Sequence, residues 1–261
     1  MLVFVNFTEA SMQAVKQAAA LATLHGGELV LCHISKDDSD KDTKQKLSDY
    51  AVLAEESGAR ASILTGKGDF FGEAPSLTKR IAPDLVIIGA VGIEGFSISH
   101  FGSAIYKLVR SLSAPTLVIQ SNTSLSATGY HKVMLPLSTH THFVKVVKSL
   151  SEVMASKGVV TIFGITVNDG ELDEKLISNA AAAQDEMDRL GIEWTFKKVN
   201  VSKVSSGYAD LILNEMTNES MDLIAMPADV AERSQHFGKM DKEALLSNSI
   251  GYPVFCINTD L

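Results

Sequence analysis

Pro83-Asp84-Leu85-Val86-Ile87-Ile88-Gly89-Ala90-Val91-Gly92 is an apolar, β-branched run that ends on two closely spaced glycines. A run of this kind, bounded by turn residues, reads as a short buried strand. Nine residues after Gly92 stand Gly102-Ser103, and from there Ile105, Leu108, Val109 and Leu112 recur at helical spacing. The stretch therefore reads as a strand, a glycine loop and a helix that begins at Gly102-Ser103.

The surrounding sequence supplies four more strands, near residues 1–6, 28–34, 60–65 and 115–120, with the first at 84–89 completing five. Helical segments separate them. The first carries Met12, Val15, Ala18 and Ala22 and stops at Gly26-Gly27. Strands that are apolar throughout and alternate with helices imply a parallel sheet covered on both faces. Right-handed crossovers then give a doubly wound sandwich whose ligand crevice lies beyond the carboxyl ends of the strands. Asn6, Ile34 and the Gly89 loop fall at that edge.

The same plan is written twice. Val3-Phe-Val-Asn6 is echoed by Val133-Met-Leu-Pro136, Asp84-Leu-Val-Ile-Ile88 by Asp222-Leu-Ile-Ala-Met226, Phe101-Gly102 by Phe237-Gly238, and Pro115-Thr-Leu-Val-Ile119 by Pro253-Val-Phe-Cys-Ile257. The first helix of the second half carries Phe143, Val147, Leu150 and Met154, with Gly158 as its stop. Residues 121–130 hold neither charge nor periodicity and read as a short connector. The expected fold is α/β: two tandem doubly wound domains, 1–122 and 131–261, each a five-stranded, mainly parallel sheet with helices on both faces. Domains of about 130 residues are of ordinary size.

Composition narrows the functional classes. With 23 basic against 31 acidic residues, the net charge of −8 provides no footprint for nucleic acid or anionic lipid. No apolar run approaches the 18 or so residues of a membrane span. The chain opens on Leu2-Val-Phe-Val5 without a basic leader, so no signal peptide is expected. Cys32 and Cys256 lie in apolar runs outside any C-x-x-C pattern, which points to reduced core thiols and a cytoplasmic protein.

A glycine directly after a strand permits torsions closed to other residues and lets a ligand approach the main chain. A helix start adds free N–H groups and a favourable dipole for an anion. The Ser103 hydroxyl offers one more donor. Three glycines near a turn are also what a surface loop with sharp bends requires. No G-x-x-x-x-G-K-[ST] loop occurs, and Gly66-Lys-Gly68-Asp-Phe-Phe-Gly72 is one residue too long for the dinucleotide fingerprint, so it reads as a strand-to-helix turn.

Gly89-x2-Gly92-x9-Gly102-Ser103 resembles the nucleotide-binding signature of the universal stress protein family, with the same spacing. The opening Leu2-Val-Phe-Val-Asn6-Phe-Thr8-Glu9-Ala-Ser11, the strand end Leu31-Cys-His33-Ile34 and the closing Ser113-Ala-Pro115-Thr-Leu-Val-Ile119 are similar too. Because the second half repeats the plan, the resemblance covers nearly the whole chain. It implies ATP or another adenine nucleotide, with or without magnesium, with Gly89, Gly92, Gly102 and Ser103 at the phosphates and ribose and Ile34 against adenine. Asn6 stands where the family carries aspartate, an amide that both donates and accepts, and Phe4 stands where nucleotide-binding members carry proline. The loop from Ile93 to Phe101 holds Glu94 and no lysine or arginine.

The second half departs from the signature. Pro227 replaces Gly89, Asp229 or Val230 replaces Gly92, Lys239 replaces Ser103, and Ser138 takes the position of Asn6. Residues 131–261 carry 12 basic and 18 acidic residues, against 11 and 13 in residues 1–122. No nucleotide is expected there. Tandem copies imply internal pairing of the domains or a homodimer.

Other polar groups read more plainly. His140-Thr-His142 lacks a full ligand set and reads as a solvated loop. His33 reads as a packed residue near the sheet edge and His25 as a helix end. Asp37, Asp38, Asp40 and Asp42 lack the glycine and terminal glutamate of a calcium loop. No nucleophile, base and orienter group together, so no catalytic residue is assigned and at most slow ATP hydrolysis is expected. The alternative function is a scaffold that binds no nucleotide and acts through protein–protein contacts.

Overall fold

A computed structural model describes residues 1–36, 41–90, 98–168, 170–202, 207–229 and 237–258, with the backbone alone at 98–101. The first half contains β1 (Leu2–Phe4), α1 (Glu9–His25), β2 (Glu28–Ser35), α2 (Lys41–Glu56), β3 (Arg60–Lys67), α3 (Phe70–Ile81), β4 (Val86–Gly89), α4 (Ile98–Ser111) and β5 (Thr116–Ile119). The second contains β6 (Tyr130–Pro136), α5 (Val144–Lys148), β7 (Met154–Val167), α6 (Glu174–Leu190), β8 (Glu193–Val201), α7 (Tyr208–Asn218), β9 (Leu223–Pro227), α8 (Lys239–Leu246) and β10 (Val254–Ile257).

The strands form one sheet in the order β3-β2-β1-β4-β5-β10-β9-β6-β7-β8. Each half supplies five parallel strands, as expected, and the halves join where β5 pairs antiparallel with β10. The expectation of two sheets therefore becomes one sheet of ten strands. The reason is that both closing strands are fully buried and apolar, Thr116-Leu-Val-Ile119 and Val254-Phe-Cys-Ile257. Left as edges, they would expose unpaired N–H and C=O groups beside hydrophobic side chains. One face is covered by α1, α2, α5 and α6 through residues such as Val15, Leu47, Val147 and Ala183. The other is covered by α3, α4, α7 and α8 through Leu77, Ile105, Ile212 and Leu245.

Hydrogen bonds repeat between the halves and match Val5 with Leu137, two residues beyond the Leu135 that the sequence echo suggests. Val5 N–H donates to Cys32 C=O at 2.8 Å, and Leu137 N–H to Phe163 C=O at 2.8 Å. Ala90 N–H donates to Ile119 C=O, and Ala228 N–H to Ile257 C=O, both at 2.7 Å. These pairs place Ser138 opposite Asn6 in the repeat and Pro227 opposite Gly89.

The first helices of the two halves differ. Thr8 caps α1 by accepting from Ser11 N–H, and Gly26 ends it in the left-handed region at φ 64°. Met12, read from the sequence as a core position, is exposed, and Ala14, Val15, Ala18, Ala19 and Leu21 make the buried face. In the second half the helix expected to run to Gly158 is only α5, followed by a single 3-10 turn at Leu150–Glu152. Met154 already belongs to β7. Val144, Val146 and Val147 are stiff, weak helix formers, and Tyr130 N–H draws Val153 C=O into the sheet at 2.9 Å.

The connector is tied down rather than loose. Gln17, fully buried on α1, donates to Ser126 C=O at 2.9 Å and accepts from Ser126 N–H at 2.8 Å. Asn122 donates to the carbonyls of Ser249 and Ile250, and the Thr123 hydroxyl to that of Gly251. These bonds add to the β5–β10 ladder in fixing one half against the other.

Cys32 and Cys256 are buried and unpaired, and burial pushes each thiol up to about 12. Since the thiolate is the reacting species, an aromatic disulfide reagent at pH 8 is expected to label neither cysteine in the native protein and both in denaturant. A rapidly labelled native thiol would contradict this packing.

Candidate functional site

The carboxyl ends of β1, β2 and β4 come together because these strands are adjacent and in parallel register, Phe4 beside Cys32 and Ile88. Asn6 follows β1, Ile34 lies near the end of β2, and Gly89 ends β4. The parallel order thus brings three of the sequence-predicted residues to one edge. Gly92 lies outside the described residues, as does Glu94.

Asn6 organises the turn into α1. Its side-chain oxygen accepts from the Thr8 hydroxyl at 2.7 Å and from Thr8 N–H at 3.3 Å, while its own N–H donates to the Ser11 hydroxyl at 3.3 Å. The intervening Phe7 adopts φ 60°, which costs about 1–2 kcal/mol for a residue with a side chain. Its ring packs 4.8 Å from that of His33 and 5.8 Å from that of Tyr50 on α2. His33 Nδ1 lies 2.7 Å from Val5 C=O, in keeping with a packed edge residue. The sequence held no sign of the Phe7–His33–Tyr50 cluster, which depends on α2 packing beside α1 over β2 and β3.

Gly89 serves packing. A Cβ there would stand 2.5 Å from Ala10 C and 2.6 Å from Ser11 N, so the first turn of α1 rests directly on the β4 backbone. Ile34 sits half-buried on the opposite face of the sheet, close to Gly66 and Leu77. Phe70 and Phe71 join it there, with Phe70 edge-on to Phe4 at 5.5 Å. The Gly66–Gly72 segment is indeed a strand-to-helix turn, since Asp69 caps α3 through Gly72 N–H at 3.2 Å. Its Phe-Phe pair supplies an apolar wall beside Ile34 that spacing arguments overlooked.

Gly102 and Ser103 do not start α4, which begins one turn earlier at Ile98. The spacing of Ile98, Phe101 and Ile105 continues the helical period backwards, and no proline interrupts it. In an α-helix only the first four N–H groups lack an internal acceptor. The amides of Gly102 and Ser103 fall beyond them. Gly102 instead lets α4 approach α8: a Cβ would lie 3.0 Å from Glu243 C=O and 3.1 Å from the Ser247 hydroxyl. The Ser103 hydroxyl donates to Glu243 Oε1 at 2.8 Å. Farther along this seam Arg110 on α4 meets the buried Asp229 carboxylate at 3.4 Å.

The matching edge of the second half is filled by its own charges. Lys242 on α8 is buried, and its ammonium donates to the carbonyls of Pro227, at 2.7 Å, and of Asp229. Burial lowers its pKa to about 8. Asp241 accepts from Tyr208 N–H at 2.7 Å and Ala209 N–H at 3.1 Å at the start of α7, and from Gly238 N–H at 3.0 Å at the start of α8. One internal carboxylate therefore occupies the donors of two helix N-termini. Asn179 on α6 pins the first loop by donating to the carbonyls of Ser138 and His140.

The His140-Thr-His142 segment is corrected in one respect: His140 is buried, and His142 N–H donates to its Nδ1 at 3.2 Å. No cluster of metal-ligating residues occurs among the described residues. Between Leu137, Phe163, Ile165, Leu176, Ile212 and Phe237 lies a cavity of about 20 Å³, room for about one water. Of the acidic cluster, Asp37, Asp38 and Asp40 lie outside the described residues, and Asp42 pairs with Lys46 on α2 at 2.6 Å.

Comparison with known proteins places this geometry. The model of the universal stress protein family matches residues 1–120. A universal stress protein of Archaeoglobus fulgidus DSM 4304 aligns over 99% of this chain and 98% of its own, with a TM-score of 0.71 at 14% identity. A putative universal stress protein of Pseudomonas aeruginosa UCBPP-PA14 aligns over 98% and 92%, with a TM-score of 0.62 at 12% identity. The cytoplasmic domain of a prokaryotic cation chloride cotransporter aligns over 98% and 93%, with a TM-score of 0.51 at 11% identity. No curated protein matches the sequence. At these identities the structural likenesses speak for the fold, while the family match speaks for the first half. Residues 1–120 therefore belong to the universal stress protein family, and the chain continues into a second copy of the same fold.

Proposed function

We propose that this is a cytoplasmic stress-response protein that binds one adenine nucleotide, ATP in the first instance, in its first domain, residues 1–122, and none in its second, residues 131–261. The observation that carries the reading is the contrast between the two halves. At the second edge Lys242 supplies a cation to the strand-end carbonyls and Asp241 an anion to two helix starts. The corresponding stretch of α4, Ser103-Ala-Ile-Tyr106, is uncharged, and the strand before it ends on Gly89 where the other ends on Pro227. Asn6 and Ile34 flank the adenine side, with Phe70 and Phe71 as an apolar wall. We assign Gly89, Gly92, Gly102 and Ser103 to the phosphate side, where a helix N-terminus such as that of α4 favours an anion.

A second reading, a scaffold that acts through protein contacts, draws on one observation. The Asn6 oxygen and the Ser103 hydroxyl are both bonded within the chain.

Titration calorimetry of the whole chain with ATP, ADP and AMP, each with magnesium, separates the two. Saturable binding with one site per chain is the expected result. No binding of any of the three would sink the nucleotide reading and leave the scaffold.

A further inference from the structure

Building on the nucleotide site proposed above, we infer that Glu243 of the second half is an internal competitor for the phosphate end of that site, so that the α4–α8 seam sets nucleotide affinity. The Ser103 hydroxyl has a single proton to donate, and Glu243 Oε1 takes it at 2.8 Å in a charge-assisted bond. A phosphate oxygen seated at Ser103 needs the same proton. It also brings a second anion up to a carboxylate, and at a separation of a few ångströms like charges repel appreciably even in a partly solvated setting.

Glu243 has little room to withdraw. Its backbone carbonyl stands 3.0 Å from where a Gly102 Cβ would be, so α8 lies against α4 at this point. Its carboxylate is mostly covered, with 19% of the side chain exposed. Lys239, one turn earlier on α8, holds the same oxygen at 3.4 Å. Phosphate binding therefore exchanges one set of partners for another: Ser103 passes from Glu243 to the ligand, and the seam loses its hydrogen bond. By linkage, whatever loosens the seam tightens the ligand, and the ligand loosens the seam.

The test is calorimetric titration of ATP with magnesium, AMP and adenosine into wild type, Glu243→Gln and Glu243→Ala, with thermal unfolding to check that each variant folds. Glu243→Gln keeps an oxygen that can accept from Ser103 but removes the charge, and Glu243→Ala removes both. ATP is expected to bind both variants roughly three- to ten-fold more tightly than wild type, AMP less so, and adenosine unchanged, with the gain shrinking at high salt. Binding by the variants where wild type shows none would support the inference most strongly. Equal ATP affinity in all three proteins, or an equal gain for adenosine, would overturn it while leaving the nucleotide site standing. No binding of any ligand by any of the three proteins would overturn the site itself.

Discussion

Gly89→Ala is expected to destabilise the chain by about 3 kcal/mol, seen as a lower urea midpoint and a melting temperature reduced by roughly 6–12 °C. The new methyl group would lie 2.5 Å from the backbone of Ala10 and 2.8 Å from its carbonyl oxygen. Backbone at the start of a helix cannot yield as a flexible side chain does. Relief requires α1 to lift from the sheet, and α1 carries Ala14, Val15, Ala18, Ala19 and Leu21 in the core. A glycine kept only for a ligand would behave differently, with wild-type stability and loss appearing only in ligand affinity. An alanine variant that melts with the wild type would show that the close approach of α1 is not what this glycine provides.

Lys242 should reveal itself through pH. Its folded pKa of about 8 lies below the ordinary lysine value of about 10.4, with burial as the main cause. Below pH 8 the lysine is protonated in both states, and the cost of burying the charge is borne in full. Between pH 8 and about 10.4 the native state releases the proton first, so the unfolded state binds more protons and stability rises with pH. The buried thiols act in the opposite sense, because Cys32 and Cys256 stay protonated when folded and ionise when unfolded. The comparison is therefore wild type against Lys242→Met, which keeps both thiols and most of the stem. From pH 7 to pH 10 wild type should gain roughly 2–3 kcal/mol on this variant, read from urea midpoints at each pH. Lys242→Ala, which also leaves a hole and strips a partner from the Pro227 and Asp229 carbonyls, should cost about 3 kcal/mol at pH 7. A pH-independent difference between wild type and Lys242→Met would mean that the ammonium is not buried as described.

The sheet was legible because its strands are short β-branched runs in a fixed alternation with helices, and the repeat confirmed each strand twice. Val133-Met-Leu-Pro136 and Val3-Phe-Val-Asn6 read alike, although the registers on β9 and β4 set the true match two residues later, Leu135 for Val3. What escaped depends on contacts between distant segments. That Gly89 is demanded by α1, and Gly102 by α8, is invisible in a loop pattern that suits a ligand equally well. The start of α4 was misplaced because a glycine and serine look like a helix beginning, although Ile98 already continues the period. Lys242 and Asp241 drew no reading from the sequence, because charges on helices mostly face solvent. The signal that separates Lys242 from them was present: it falls three and four residues before Leu245 and Leu246, on the apolar stripe of α8.

The proposal that one edge of the sheet takes a nucleotide while the other is closed by its own side chains is tested most directly by a crystal structure of the whole chain grown with magnesium and ATP. Nucleotide density is expected in one place, beyond the carboxyl ends of β1 and β4, with Lys242 still on the carbonyls of Pro227 and Asp229 at the other edge. Nucleotide at both edges, or at neither under saturating ligand, would contradict it.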